Sequence, residues 1–516
     1  MSSENLYHRF ESTFRNHASR TSIRTPGGGP SISFAELASQ VARYANALAA
    51  LGVEPGDRVT VQVEKSIANV LLYLAVLKAG AVYQPLNTAY TETEVDYFVG
   101  DAQPKLIVCD PVRQAAMRTL ADRHKIFAVV NLDADGQGSL ATMAATMDDR
   151  HETAPRRADD LAGLLYTSGT TGRSKGAMIT HGNLSSNAET LVKLWHITAS
   201  DVLLHALPIF HVHGLYVALN TAFLSGCEIV WFGKFDVKAL VGAMPQASLM
   251  MGVPTFYTRL LAEPSFTSEC ARSMRLFISG SAPLLAETHQ DFRIRTGHAI
   301  LERYGMTETG MITSNPYDGD RVPGTVGFAL PGVSVRITGG QPGVLEVKGP
   351  NVFKGYWRMP ERTKEDFTAD GYFITGDVST IDAEGRVTIV GRAKDLIITG
   401  GFNVYPKEIE EVLDAMPGVG ESAVVGAPHP DFGEAVIAVV TAHGELPQEQ
   451  AIIGELSKTL AKFKVPKRIF VVDELPRNAM GKVQKAELRR LHAATFINPH
   501  SPDDILICGG IAPIQV

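Results

Sequence analysis

The chain has 516 residues, 45% of them hydrophobic and 20% charged, with 47 glycines, 28 prolines and a formal net charge of −7. That length exceeds one ordinary hydrophobic core and predicts two or more domains, while the composition is that of a loop-rich globular enzyme and excludes a disordered or fibrous chain. An acidic balance with no broad basic surface argues against nucleic acid as a partner, and no apolar run approaches ~18 residues, so no membrane partner is expected.

The start, Met-Ser-Ser-Glu-Asn, lacks the basic and then apolar regions of a secretory signal. Residues 34–51 form an amphipathic helix pattern that Gly52 stops, and 58–63 alternate as a strand. The most apolar stretch, from Asn69 to Tyr83, is interrupted by Lys78 and reads as a buried helix followed by a strand. Residues 67–77 are helical, 81–86 extended and 105–108 extended again. Such alternation predicts α/β layers with largely parallel sheet. Residues 324–355 differ, with short β segments between prolines and glycines, as in a small barrel. Beyond Gly391-Arg392-Ala393-Lys394-Asp395 the pattern becomes compact, with a helix over 407–414, a strand over 421–425 and a helix over 448–461. The expected domains are 1–393 and 394–493, followed by a tail, 494–516, that carries three prolines. Cys109, Cys227, Cys270 and Cys508 stand far apart with no CxxC pair. They suggest neither a disulfide framework nor a zinc site and fit a reducing cytoplasm.

The strongest local signal runs from Tyr166 to Gly176: Thr167, Ser168, Gly169, Thr170, Thr171, Gly172, Arg173, Ser174 and Lys175 follow an apolar strand over 161–165. Its glycines let the backbone approach a phosphate, its hydroxyls and turn N–H groups can donate, and Lys175 can neutralise charge. A Walker A loop would need glycine at Ser174 and a hydroxyl residue at Gly176, so this is a different phosphate loop. His205, His211 and His213 suggest metal ligands, since His-x-His on a strand shares one face, but no local Cys, Asp or Glu supplies a third ligand. Ser281 lacks the GxSxG frame of a hydrolase, having Ser279 two residues before it.

The 11-residue loop resembles the signature of the acyl-adenylate-forming (AMP-binding) superfamily, which includes acyl-CoA synthetases, adenylation domains and luciferases. Further stretches resemble that family's motifs in order: Arg303-Tyr-Gly-Met-Thr-Glu308, Tyr372-Phe-Ile-Thr-Gly-Asp377, Gly391-Arg-Ala-Lys-Asp-Leu-Ile-Ile398 and Pro476-Arg-Asn-Ala-Met-Gly-Lys482. The likeness spans roughly residues 10–491. It implies an α/β fold: a large N-terminal domain of layered sheets and helices with a small β-barrel, plus a small mobile α+β C-terminal domain. It also implies ATP, CoA and Mg²⁺. Glu308 and Thr167 would hold the metal against the phosphates, consistent with a hard cation preferring oxygen. Thr307 would contact phosphate, Tyr304 would stack on adenine, and the turn Gly280-Ser281-Ala282 would cover the other face. Glu302, Arg303 and Gly305 would complete the nucleotide site. Asp377 would bind the ribose hydroxyls with support from Arg392. Lys482 would bridge the acid and the α-phosphate, His211 would gate the acyl pocket, Lys394 would be the hinge, and Gly400-Gly401 would border the CoA channel.

Within the superfamily the stretches 82–90, 251–259, 275–285 and 315–320 are most similar to the malonyl-CoA synthetases. That likeness implies an enzyme that adenylates malonate, or methylmalonate, and forms its CoA thioester with release of AMP and pyrophosphate. A dicarboxylate needs a second anion site at the blind end of the pocket. Arg275, at the head of an apolar strand leading to the adenine turn, is the expected group, with Ser279 and Met306 as walls. Alternatives are a CoA ligase for another short or medium acid, or an enzyme that loads a carrier protein. A fused carrier is not expected, since Gly509-Gly-Ile-Ala512 has no serine. The expected state is a monomer or homodimer in the cytoplasm.

Overall fold

The computed structural model describes residues 3–167, 174–400, 402–478 and 481–496. The chain forms two compact units. One comprises Met1–Thr375 and Thr380–Ile389, the other Gly376–Ser379 and the chain from Val390.

In the large unit, two sheets carry the α/β layering. The six-stranded sheet runs, in spatial order, through Ala128–Asn131, Leu106–Cys109, Arg58–Gln62, Val82–Pro85, Leu161–Thr167 and Lys175–Thr180. All its pairs are parallel except the last, an antiparallel hairpin. The nine-stranded sheet has a parallel centre: Leu301–Met306, Leu276–Ser279, Leu249–Gly252, Val202–His205, Glu228–Trp231 and Thr21–Arg24. Antiparallel strands, among them Gly310–Ser314 and Ser31–Ser33, close its two edges. Parallel strands buried on both faces need continuous apolar runs, and the strand Leu276–Ser279 is buried at every position.

The helices follow their sequence signals. Phe34–Ala50 starts at a capping box in which Ser33 and Glu36 satisfy each other's backbone N–H groups. Ile67–Lys78 is buried on nearly every side, and the strand Val82–Pro85 follows it. Its four leucines each contribute about 2 kcal/mol by leaving water. Lys78 tolerates burial because Glu11 lies 2.6 Å from its ammonium, Thr153 accepts at 2.9 Å, and the Tyr7 ring covers it.

The expected small barrel is not closed. Ser334–Thr338, Gly343–Lys348, Phe373–Ile381 and Val387–Arg392 form an open four-stranded sheet in that order, and no pairing joins its end strands among the described residues. Short strands between prolines and glycines occur equally in open and closed sheets, so spacing alone does not settle closure.

In the small unit, Val419–His429 pairs antiparallel with Gly433–Ala442, which pairs parallel with Arg468–Val472. Strand alternation sends Val424, Val436 and Val440 to one face, under the helices Pro406–Asp414 and Glu449–Thr459. Ala423, Val425 and Val439 face the other way, under Lys485–Leu491. Among the described residues no helix is long and apolar enough to cross a membrane.

Candidate active site

The parallel strands of the nine-stranded sheet all point their carboxyl ends the same way, which is where ligands bind in open α/β sheets. The strand Leu276–Ser279 runs into Gly280, Ser281 and Ala282 at that end, anchored by the Tyr257 hydroxyl donating to the Ile278 carbonyl at 2.6 Å. Ser281 adopts φ 72°, a left-handed conformation uncommon for serine and found at ligand-holding turns. Ser279 pairs with Glu302 on the neighbouring strand, so the next residue, Arg303, comes alongside Gly280. A Cβ at position 280 would overlap the Arg303 guanidinium, which is why glycine stands there.

Arg303 is 3% exposed, and its Nε and Nη2 have no hydrogen-bond partner. Burial pushes its pKa down to about 9. Beside it His213 is 1% exposed with Nε2 unpartnered, and Ser279, equally buried, has an unpartnered hydroxyl. Burial, then the Arg303 charge, push the His213 imidazole well below its usual range, so it is neutral. Ser281 Oγ lies 3.3 Å from His213 Nδ1. Buried polar atoms are nearly always satisfied in folded proteins. Three unpartnered polar side chains in one neighbourhood therefore mark a place for an anion.

His211 and His213 do not share a strand face. His213 begins a π-helix, His213–Leu219, and a Cβ on Gly214 would overlap the Pro208 carbonyl. His211, half-buried, accepts at its carbonyl from Leu215 N at 2.9 Å. His205 is stacked on Trp231, with Nε2 2.9 Å from the Gly214 carbonyl.

The hairpin Leu301–Met306 and Gly310–Ser314 carries Thr307 and Glu308 in its turn. A Cβ at Gly305 would overlap the Gly310 carbonyl, so that glycine is needed by the hairpin itself. Tyr304, Met306 and Thr307 are half-buried. Glu302 is buried and accepts from the Gly324 backbone at 3.1 Å. Glu308 is buried and accepts from the Tyr356 hydroxyl at 3.2 Å. The Lys175 ammonium lies 4.2 Å above the Tyr356 ring and 3.4 Å from Asp366. Thr167 and Lys175 face each other at the end of one hairpin, and Tyr356 links Lys175 to the Glu308 carboxylate in the turn of the other; a cation, a carboxylate and a hydroxyl of these kinds suit a polyphosphate and its metal. Ser168, Gly169, Thr170, Thr171 and Gly172 lie outside the described residues, as does Gly401.

Arg275 is not in this neighbourhood. It sits at the amino end of its strand, four residues before Ser279, roughly 13 Å away along the strand. Its Nε and Nη2 donate to the two oxygens of Asp201 at 2.8 and 2.7 Å, and Nη1 and Nη2 donate to the Trp195 and His196 carbonyls. Every nitrogen of the guanidinium is engaged, so it holds the fold together and has nothing left for a substrate. The group that sequence reasoning assigned to the nucleotide, Arg303, is the unpartnered cation. The signal that could have separated the two is strand position: Arg275 precedes its strand, whereas Arg303 lies within its own, one residue beyond the pairing of Glu302 with Ser279.

In the small unit, Asp377 is buried and Arg392 Nε lies 2.8 Å from its Oδ1. Lys482 closes a tight loop: its N–H donates to Asn478 Oδ1 at 3.0 Å, and Asn478 N–H donates to its carbonyl at 3.0 Å. The residue is exposed, yet its ammonium end is crowded enough that burial, then the Arg392 cation, push its pKa down to about 8, against the pull of Asp377. Lys394 lies in the 3₁₀ turn Ala393–Asp395, and burial pushes it below the usual range. Gly400 has φ 56° and donates to the Phe432 carbonyl.

A family model described as AMP-binding enzyme matches residues 10–357, and one described as AMP-binding enzyme C-terminal domain matches 408–482. A feruloyl-CoA synthase of an Amycolatopsis species is 35% identical over 477 residues, covering 90% of this chain and 94% of its own. A malonate–CoA ligase of Arabidopsis thaliana is 35% identical over 479 residues, covering 84% and 78%. Among solved structures, ATP-bound MatB from Rhodopseudomonas palustris superposes with a TM-score of 0.93 at 54% identity, covering 96% of this chain and 100% of that one.

Proposed function

The chain belongs to the AMP-binding enzyme family and is an ATP-dependent acyl-CoA ligase, and on that premise we propose that its acid is malonate. One observation carries this reading: the Arg303 guanidinium is buried and unpartnered beneath Gly280, beside Ser279 and His213. An isolated buried cation is strongly unfavourable, and a bidentate carboxylate is its best partner. A monocarboxylic acid uses its only carboxylate at the reacting end and leaves Arg303 unpaired. A dicarboxylate satisfies both. An aromatic acid such as the one named in the feruloyl-CoA synthase relative would bury an apolar ring against that charge, which disfavours it.

The chemistry follows from charge. The reacting carboxylate attacks the α-phosphorus of ATP and pyrophosphate leaves; the CoA thiol then attacks the acyl carbon and AMP leaves. The first step joins two anions, so fixed positive charge is needed where negative charge builds. Lys175 supplies it at the polyphosphate, and Lys482 at the reacting carboxylate and α-phosphate. Glu308 and Thr167 would hold Mg²⁺, a donor set of hard oxygens that suits it; that ion neutralises phosphate charge. Asp377, oriented by Arg392, accepts from the ribose hydroxyls. Tyr304 and the 280–282 turn enclose the adenine, His211 borders the acyl path, Lys394 is the pivot between the two steps, and Gly400 borders the pantetheine path.

The test is thioester formation on malonate, methylmalonate, butyrate and ferulate, each with and without CoA. Malonate should exceed butyrate in kcat/KM by about three orders of magnitude or more, the scale on which a polar site rejects an analogue lacking the polar group. Equal use of butyrate or ferulate would overturn the malonate assignment while leaving the ligase.

A further inference from the structure

The hairpin that carries Thr167 and Lys175 is held at both sides by one helix. That helix, Glu92–Ala102, starts at a capping box in which Thr91 and Glu94 satisfy each other's backbone N–H groups, and it buries Val95, Phe98, Val99 and Ala102. Tyr97 and Asp101, one turn apart on it, share a face. The Tyr97 hydroxyl donates to the Ser174 carbonyl at 2.8 Å, and Asp101 Oδ2 accepts from the Tyr166 hydroxyl at 2.6 Å. Phe98 packs on the Tyr166 ring with centroids 4.6 Å apart. Burial, then Asp101, hold the Tyr166 phenol far above its usual range, so it remains a donor. Trp357 completes the arrangement: its backbone N–H donates to the Gly176 carbonyl at 2.7 Å and its indole N–H to the Asp101 carbonyl at 3.1 Å.

We propose that Tyr97 and Asp101 are positioning residues for the phosphate loop: they fix the separation of its two feet, Tyr166 on one side and Ser174 on the other, so that Thr167 and Lys175 meet the polyphosphate of ATP at a set spacing. This deepens, and rests on, the assignment of that loop to the polyphosphate. The sequence between the feet includes Gly169 and Gly172, and glycine loses more backbone freedom on being ordered than any other residue. Feet that are fixed in advance reduce the ordering that phosphate binding must bring about. The contribution is confined to ligands that carry a polyphosphate. AMP and the acyl-adenylate hold only the α-phosphate, and the thiol attacks after pyrophosphate has left.

The experiment is calorimetric binding of ATP and pyrophosphate, each with Mg²⁺, and of AMP, to wild type, Tyr97→Phe, Asp101→Ala, Asp101→Asn and Lys175→Ala, accompanied by melting temperatures. No acid is present, so the outcome does not depend on which acid the enzyme uses. Tyr97→Phe should raise the Kd for ATP and for pyrophosphate by roughly 3- to 10-fold, the range for losing one neutral hydrogen bond, and leave the Kd for AMP within about twofold. Asp101→Ala should show the same pattern with a loss of about tenfold or more, because the bond it removes is to a charged group. Asp101→Asn, whose amide oxygen still accepts from Tyr166, should recover most of that loss. Should Asp101→Ala fail to fold, Tyr97→Phe, which removes a single oxygen, carries the test. If Lys175→Ala leaves ATP and pyrophosphate binding unchanged, the polyphosphate assignment falls, and this proposal with it. If Lys175→Ala weakens both, but Tyr97→Phe leaves them unchanged or weakens AMP as much as ATP, the positioning role alone is overturned and the helix is a structural support.

Discussion

Arg275 and Asp201 form a two-pronged ion pair, Nε to Oδ1 at 2.8 Å and Nη2 to Oδ2 at 2.7 Å, between the amino ends of two strands that flank Leu249–Gly252. The arginine side chain is 26% exposed and the aspartate 5%. Arg275→Leu therefore strands a buried carboxylate and should destabilise the large unit by about 2 kcal/mol, a value reduced from the fully buried case for solvent screening. The measurement is the melting temperature beside the ratio of kcat/KM on malonate and butyrate. The melting temperature should fall and the ratio should not move; a collapse of the ratio would return Arg275 to the acyl pocket.

Arg303→Met should do the opposite. Removing an uncompensated buried cation, while keeping an apolar side chain of similar reach, should leave the free protein as stable as wild type or more so. Activity on malonate should fall by about two to four orders of magnitude, the scale of breaking a buried charge pair. Malonate should raise the melting temperature of wild type and not of the variant, which reads binding without catalysis.

Lys482→Ala should abolish malonate-dependent ATP–pyrophosphate exchange while sparing thioester formation from supplied malonyl-adenylate. The charge is needed where pyrophosphate departs and not where the thiol attacks. Equal loss of both half-reactions would remove Lys482 from the adenylation step.

Adenylation should also fall as pH rises through about 8. Burial, then Arg392, hold the Lys482 pKa near that value, so the ammonium is present below it and lost above it. Exchange rates between pH 6 and 10 should show that fall in wild type. Lys482→Arg, whose guanidinium stays charged throughout, should show residual activity without the fall.

Much of the fold was legible because its signals are local. The capping box at Ser33, the apolar run over residues 70–77 and the apolar strand entering Gly280 each follow from short-range chemistry. The sheet around residues 334–392 was not, because closure depends on which edges meet. The difference between Arg275, which is satisfied, and Arg303, which is not, has the same origin. Both arginines neighbour the same apolar strand, and only the partner at Asp201, 74 positions away, reveals which cation is already satisfied. His213 was read through its spacing to His211, but a π-helix breaks the two-residue rhythm on which that reading relied.

The π-helical segment also bears on how this chain can change. Each π turn accommodates one residue more than an α turn, so 213–219 amounts to an α-helix carrying an insertion. Deleting one residue there would relieve the backbone into ordinary helix and leave the downstream Asn220–Ser225 turn in place. The same deletion would swing position 213 about a quarter-turn or more around the axis, taking the imidazole out of the reach of Ser281. A deletion that eased the backbone would thus cost the contact between His213 and Ser281.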